Sequence, residues 1–137
     1  MFQRFAHLFV APMRGAHRRR GRAGEHLAAQ HLKKHGYRVL ARNLRNRFGE
    51  IDLLALAPDG RTVVVVEVKA GSANERFPPE LHVTPAKQRK IVALTAQLAR
   101  RYRLTDRPFR FDVIAVEFPE QGDPVIRHHV GAFASRV

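Results

Sequence analysis

The sequence of 137 residues has no cysteine and no tryptophan, and only two tyrosines. Without cysteine there are no disulfides and no thiolate metal sites. A reducing compartment fits that composition, and a cytoplasmic location is the expectation. No apolar run approaches the roughly 20 residues of a membrane-spanning helix. With aromatic residues at 8%, a stacking platform for single strands is not supported, although Tyr37, Phe48 and Phe77 could contribute locally. Phosphate-cradling P-loops, dinucleotide fingerprints and nucleophile elbows are all missing.

Acidic residues are scarce as well. Lys and Arg number 25 against 12 Asp and Glu, for a net charge of +13. Residues 1–24 contain six arginines (Arg4, Arg14, Arg18, Arg19, Arg20, Arg22) and no acid, and the rest of the chain holds 19 basic and 12 acidic residues. A basic body suits a polyanionic partner, nucleic acid foremost, while a membrane surface or a ribosome attracts the same charge. Residues 1–20 read as a flexible basic arm outside the fold. A transit peptide and an N-terminus with no role are the other readings. Residues 21–137 read as one domain, with 45% hydrophobic residues available for a core.

Within that domain, "GEHLAAQHLKKHG" (24–36) predicts a helix in which Glu25, Ala28, Ala29 and Leu32 share one face. Strands are predicted over 37–44, 49–57 and 62–70, with turns at "NRFG" and "PDG". The run Val63–Val66 is apolar on both faces, so the third strand should be central. Residues 71–83 read as a polar loop. Thr84 then caps a helix with Pro85 at its first position. That helix runs to about Tyr102, with Gln88, Ile91, Leu94, Thr95, Leu98 and Tyr102 on its inner stripe. Lys87, Arg89 and Lys90 crowd its first turn, where cations oppose the helix dipole. Strands over 109–118 and 124–130 complete a mixed α/β sheet of about five strands flanked by helices, in the order α-β-β-β-α-β-β.

The charges at the end of the third strand carry the chemistry. Glu67 and Lys69 follow the valines with no turn between, and period two puts both on one face. A hairpin centred on "PDG" pairs positions that sum to 119, which sets Asp52 beside Glu67. Adjacent carboxylates resist joint ionisation unless a cation intervenes. A divalent metal satisfies them, Mg²⁺ or Mn²⁺, with water and phosphate completing the shell. Lys69 could orient a water or stabilise charge developing on a phosphorane. A buried ion pair between Lys69 and one of the acids is the competing reading.

"GEIDL" followed by "VVVEVK" resembles the core of PD-(D/E)xK nucleases, with Asp52 as the strand acid and Glu67-x-Lys69 as the E-x-K. An E-x-K alone is weak. The series from "GEHLAAQHLKKHGYRVLARNLRNRFGEIDLLA" through "VVVEVK" and "VTPAKQRKI" to "RFDVIAV" is more specific. It resembles the YraN family of small bacterial proteins, related to archaeal-type Holliday junction resolvases, over about residues 21–134. The resemblance implies a restriction-endonuclease-like fold. It also implies that Glu25 joins Asp52 and Glu67 as a metal ligand, that Lys69 is catalytic, and that Gln88 turns toward the active site to position water or phosphate. Arg42, Arg45, Arg47, Lys87, Arg89 and Lys90 are the candidate phosphate contacts. Glu50 shares a face with Asp52 by alternation, but a turn-flanking acid is its simpler reading. Asp112 reads as structural, partnering an Arg. The chain departs from the resembled pattern at Ala70, where relatives often carry a basic residue.

Histidine adds little. His31 and His35 have i,i+4 spacing but "HLKKH" lacks a metalloprotease glutamate, and both should face solvent. His128 and His129 alternate across a strand and cannot both face one site. The expected function is a Mg²⁺-dependent endonuclease-like activity on DNA, branched DNA among the candidate substrates, with a homodimer compatible with a symmetric junction. The alternative is a non-catalytic nucleic-acid-binding or partner-binding module on the same fold.

Overall fold

The computed structural model of the chain describes residues 17–72 and 83–134. Phe77 and most of the predicted polar loop lie outside them, as do the first sixteen residues. Helix α1 (His17–Lys34) is followed by strands β1 (Arg38–Asn46), β2 (Gly49–Leu56) and β3 (Val63–Ser72). Helix α2 (Pro85–Arg101) comes next, then β4 (Phe109–Phe118) and β5 (Val125–Phe133). The strands form one sheet in sequence order, with β3 at its centre. Neighbours are antiparallel except β3 and β4, which are parallel and joined through α2.

The four valines explain the layering. Val63 and Val65 pack with Leu44, Ile51, Leu54 and Phe111 beneath Ile91, Leu94 and Leu98 of α2. Val64 and Val66 pack with Leu53, Ala55, Ile114 and Val116 beneath Ala28, Ala29 and Leu32 of α1. A strand apolar on both faces therefore lies between two helices. The start of α2 matches its local signals. The Thr84 hydroxyl accepts a hydrogen bond from Lys87 N–H at 3.1 Å, and Pro85 occupies the first turn. No helix among the described residues is long and apolar enough to cross a membrane.

Helix α1 begins at His17, seven residues before the expected start, and takes in His17–Arg20 of the basic stretch. Arginine is a good helix former, and the first turn carries no acid to mark the start. At Gly24, α1 approaches β3 closely: a Cβ on it would lie 2.7 Å from the Ala70 Cβ. Ala70 thus sits against α1 at Gly24, where a small residue fits. The close approach also fixes the position of Glu25, the next residue.

Candidate metal and phosphodiester site

The β2–β3 ladder runs through Leu56–Val63, Ala55–Val64, Leu54–Val65 and Leu53–Val66, each summing to the expected 119. The next pair in that register would be Asp52 with Glu67, and there the ladder stops. The Asp52 carboxylate instead accepts the Val68 N–H at 2.8 Å. Across β1, Arg42 and Leu44 pair with Leu53 and Ile51, which leaves Asn43 opposite Asp52. Asn43 has φ of 51°, a left-handed conformation that asparagine tolerates better than most residues. The neighbouring alternation is broken as well, because Ile51 and Leu54 pack into the same cluster.

This irregular strand end collects the acids. Carboxylate oxygens of Glu25, Glu50 and Asp52 lie within 4.8 Å of one another. Asp52 and Glu67 are only 5% and 4% exposed. Burial pushes the Asp52 carboxyl well above its ordinary range, and the neighbouring Glu67 charge adds to it, against the Val68 hydrogen bond. Glu25 is also raised, by burial and by the charges of Glu50 and Glu67, against a hydrogen bond from the Asn43 side chain. Three carboxylate oxygen donors clustered in this way could hold a hard metal cation. Among the described residues no other group of three His, Asp or Glu side chains comes together this way.

Glu67 has cationic partners. Lys87 reaches from the first turn of α2 to form an ion pair with its carboxylate, and the Lys69 ammonium lies at 3.6 Å. Burial lowers the Lys69 pKa, as does its contact with Lys87, against the attraction of Glu67 and Asp52. Burial opposes the charge on Lys87 too, but Glu67 outweighs it and the net shift is upward.

Of the expected site residues, Glu25, Asp52, Glu67 and Lys69 converge at the open end of the β2–β3 pair. Lys87 joins them through Glu67 and is no longer a free phosphate contact. Gln88 Nε2 donates to the Val83 carbonyl at 3.0 Å, so its amide holds the start of α2. Arg42, Arg89 and Lys90 are exposed, Arg45 lies 3.8 Å from Glu50, and the Arg47 guanidinium stacks over Phe48 at 4.7 Å. Sequence reasoning passed over two members. Glu50 stands within the acid cluster, as its alternation with Asp52 had hinted, and Asn43 touches Glu25.

A second polar cluster stands on β4 and β5. The fully buried Asp112 accepts from Arg110 at 2.9 and 2.8 Å, from the Gly131 N–H at 2.9 Å, and contacts His128 Nε2 at 2.8 Å. This matches the structural reading of Asp112 with an Arg partner. His31 differs from expectation: it is half-buried, its ring 5.3 Å from that of His128.

Residues 24–116 match the model of a family described as "Uncharacterised protein family UPF0102". A UPF0102 protein of Pelobacter propionicus is 43% identical over 85% of this chain and 83% of its own length. One of Geobacter metallireducens is 43% identical over 82% and 90%. The structure of Pyrococcus furiosus SfsA in complex with Ca²⁺ is 14% identical over 93% of this chain and 68% of that one, with a TM-score of 0.34, too low to carry an argument. By the family match and these identities, the chain belongs to the UPF0102 family.

Proposed function

We propose that this UPF0102 member hydrolyses phosphodiester bonds of nucleic acid, DNA foremost and branched DNA among its substrates, with the help of a divalent cation. One observation carries the reading: Glu25, Glu50 and Asp52 cluster beside Glu67 and Lys69 where the β2–β3 ladder ends. Mg²⁺ or Mn²⁺ held by these acids would supply positive charge to the phosphate and to an attacking water. The chain's residues do the remainder. Lys69, flanked by Lys87 and with its pKa lowered by burial, orients the water toward phosphorus and stabilises the charge that develops there, while the water's proton passes to solvent. The water oxygen bonds to phosphorus as the opposite P–O ester bond breaks, and the leaving alkoxide is protonated by solvent. Arg42, Arg45, Arg47, Arg89 and Lys90 hold flanking phosphates. Gln88 holds the start of α2 and with it Lys87. A homodimer would present two such sites to a symmetric junction.

A second reading rests on Lys87, whose ammonium already neutralises Glu67. In that reading the protein binds nucleic acid, or a protein partner, without turnover. A cleavage assay on matched linear, flapped and four-way DNA separates the two, with wild type and Glu67→Ala in Mg²⁺, Mn²⁺ or EDTA. Metal-dependent cutting lost in Glu67→Ala supports the nuclease. No cutting by wild type, together with salt-dependent binding that survives loss of the Asp52 and Glu67 charges, supports the binding module.

A further inference from the structure

We propose that the tip of the β1–β2 hairpin is a stacking site for an unpaired base. The preferred ligand is then nucleic acid with an unstacked nucleotide (a fork, flap or branch), and continuous duplex is disfavoured. The inference rests on the nucleic-acid part of the proposed function and not on turnover.

Phe48 is 48% exposed, and of the exposed large hydrophobics among the described residues it alone is aromatic. An isolated exposed phenylalanine is ordinary on protein surfaces. Three features set this one apart. First, it is held in place: its N–H donates to Asn46 Oδ1 at 2.8 Å, inside a two-residue turn closed by the Asn46–Gly49 pair. Second, the ring carries the Arg47 guanidinium at 4.7 Å and stands among cations. Arg45 is exposed on β1, and Lys90 of α2 adjoins the base of the turn, its Cβ 3.9 Å from where a Gly49 Cβ would be. A π-face beside phosphate-binding cations is what a nucleotide requires. Third, Glu50 of the acid cluster is two residues from Phe48, near the start of the strand that leaves the turn. A strand whose base rests on the ring would thus pass beside the acid cluster. A lone ring on a tight turn offers no apolar helical face of the kind that lies in a bilayer interface.

The absence of tryptophan makes the test site-specific. Phe48→Trp becomes the sole tryptophan, and its emission reports stacking on a base. In EDTA, it is titrated with a forked oligonucleotide, with blunt duplex of the same sequence, and with phosphatidylserine–phosphatidylcholine vesicles. The expected result is emission at least about halved by the fork and little changed by duplex at equal occupancy. Phe48→Ala should bind the fork roughly ten-fold more weakly than wild type, with duplex affinity unchanged. Equal quenching by fork and duplex, or no response to either, overturns the inference. So does a blue shift on vesicles without a response to the fork, which would assign the tip to a lipid surface. Fork-selective quenching in a protein that never cleaves would retain this site and end the nuclease reading. Cleavage without the quenching would do the reverse.

Discussion

Asp52 accepts the backbone N–H of Val68 at 2.8 Å, one step beyond the last rung of the β2–β3 ladder at Leu53–Val66. A side-chain carboxylate thus does the work of a strand carbonyl, and the two strands can part without leaving that donor unsatisfied. Glu25 and Glu50 gather with Asp52 at this end of the ladder. The same oxygen pair serves structure and site, and the two roles separate on mutation.

Asp52→Asn keeps an acceptor for Val68 and removes the buried charge. In EDTA at pH 8 its stability should equal or exceed that of wild type by about 1 kcal/mol, with Mn²⁺ binding lost. Asp52→Ala orphans the N–H and leaves a small void, and should cost about 2–3 kcal/mol. Urea denaturation and calorimetric Mn²⁺ titration of both variants provide the check. Equal destabilisation by Asn and Ala would deny the hydrogen bond its role.

The acid cluster also sets a pH dependence. Asp52 and Glu25 are raised above their ordinary values of 3.8 and 4.5. A carboxyl raised in the folded state binds its proton more tightly there than in the unfolded chain. Its contribution is complete below the ordinary value and is lost as pH rises through the raised one. The stability difference between wild type and Asp52→Asn in EDTA should therefore move against wild type from about pH 4 upward. Saturating Mg²⁺ should reverse that trend above the raised values, since the cation binds the ionised acids. Denaturation curves at intervals of pH, with and without Mg²⁺, test both arms.

How much of this could be read in advance depended on the range of each interaction. The Thr84–Pro85 start of α2 and the 119 register of β2 and β3 rest on neighbouring residues, and both agree with the structure. The even apportioning of Val63–Val66 between two helices follows from period two alone. Alternation put Glu50 on the face of Asp52, but its place beside a turn gave a simpler reading, and the left-handed Asn43 has no glycine to signal it. The ion pair of Lys87 with Glu67 joins residues separated by the whole 73–82 segment, and no local pattern announces it. The early start of α1 was hidden by an arginine run that reads equally as arm or helix.

Gly24 ties α1 to the site by contact distance. Gly24→Ala would set a methyl 2.7 Å from the Ala70 Cβ and 3.7 Å from Val68 Cγ1. Both neighbours belong to the central strand and have little room to yield, so α1 should shift outward at a cost of about 1–3 kcal/mol. Because Glu25 is the next residue, Mn²⁺ affinity should fall with it. The paired variant Gly21→Ala, with nothing within 4 Å of its Cβ, should gain helix propensity and leave Mn²⁺ binding unchanged. Thermal melts and Mn²⁺ titration of the two variants distinguish a packing requirement at residue 24 from a general intolerance of the helix.

Asp112 should behave as the opposite of Asp52. Burial works against its ionisation, but His128, Arg110 and the Gly131 N–H outweigh that and hold its pKa below the ordinary 3.8. A depressed carboxyl contributes stability that is present above its ordinary value and lost as pH falls through the folded one. Asp112→Ala leaves Arg110, the Gly131 N–H and His128 without their common partner, and should cost about 3–5 kcal/mol at pH 7. Asp112→Asn keeps some of those bonds and should cost less. The stability difference between wild type and Asp112→Asn should shrink as pH falls below 4. With Asp52→Asn the difference should instead move against wild type as pH rises above that point. Mn²⁺ affinity should persist in a folded Asp112→Asn protein and vanish in Asp52→Asn. Two buried aspartates in one sheet are thus told apart by the sign of a pH slope: Asp112 has its cationic partner in Arg110, whereas Asp52 stands beside the acids Glu67 and Glu50.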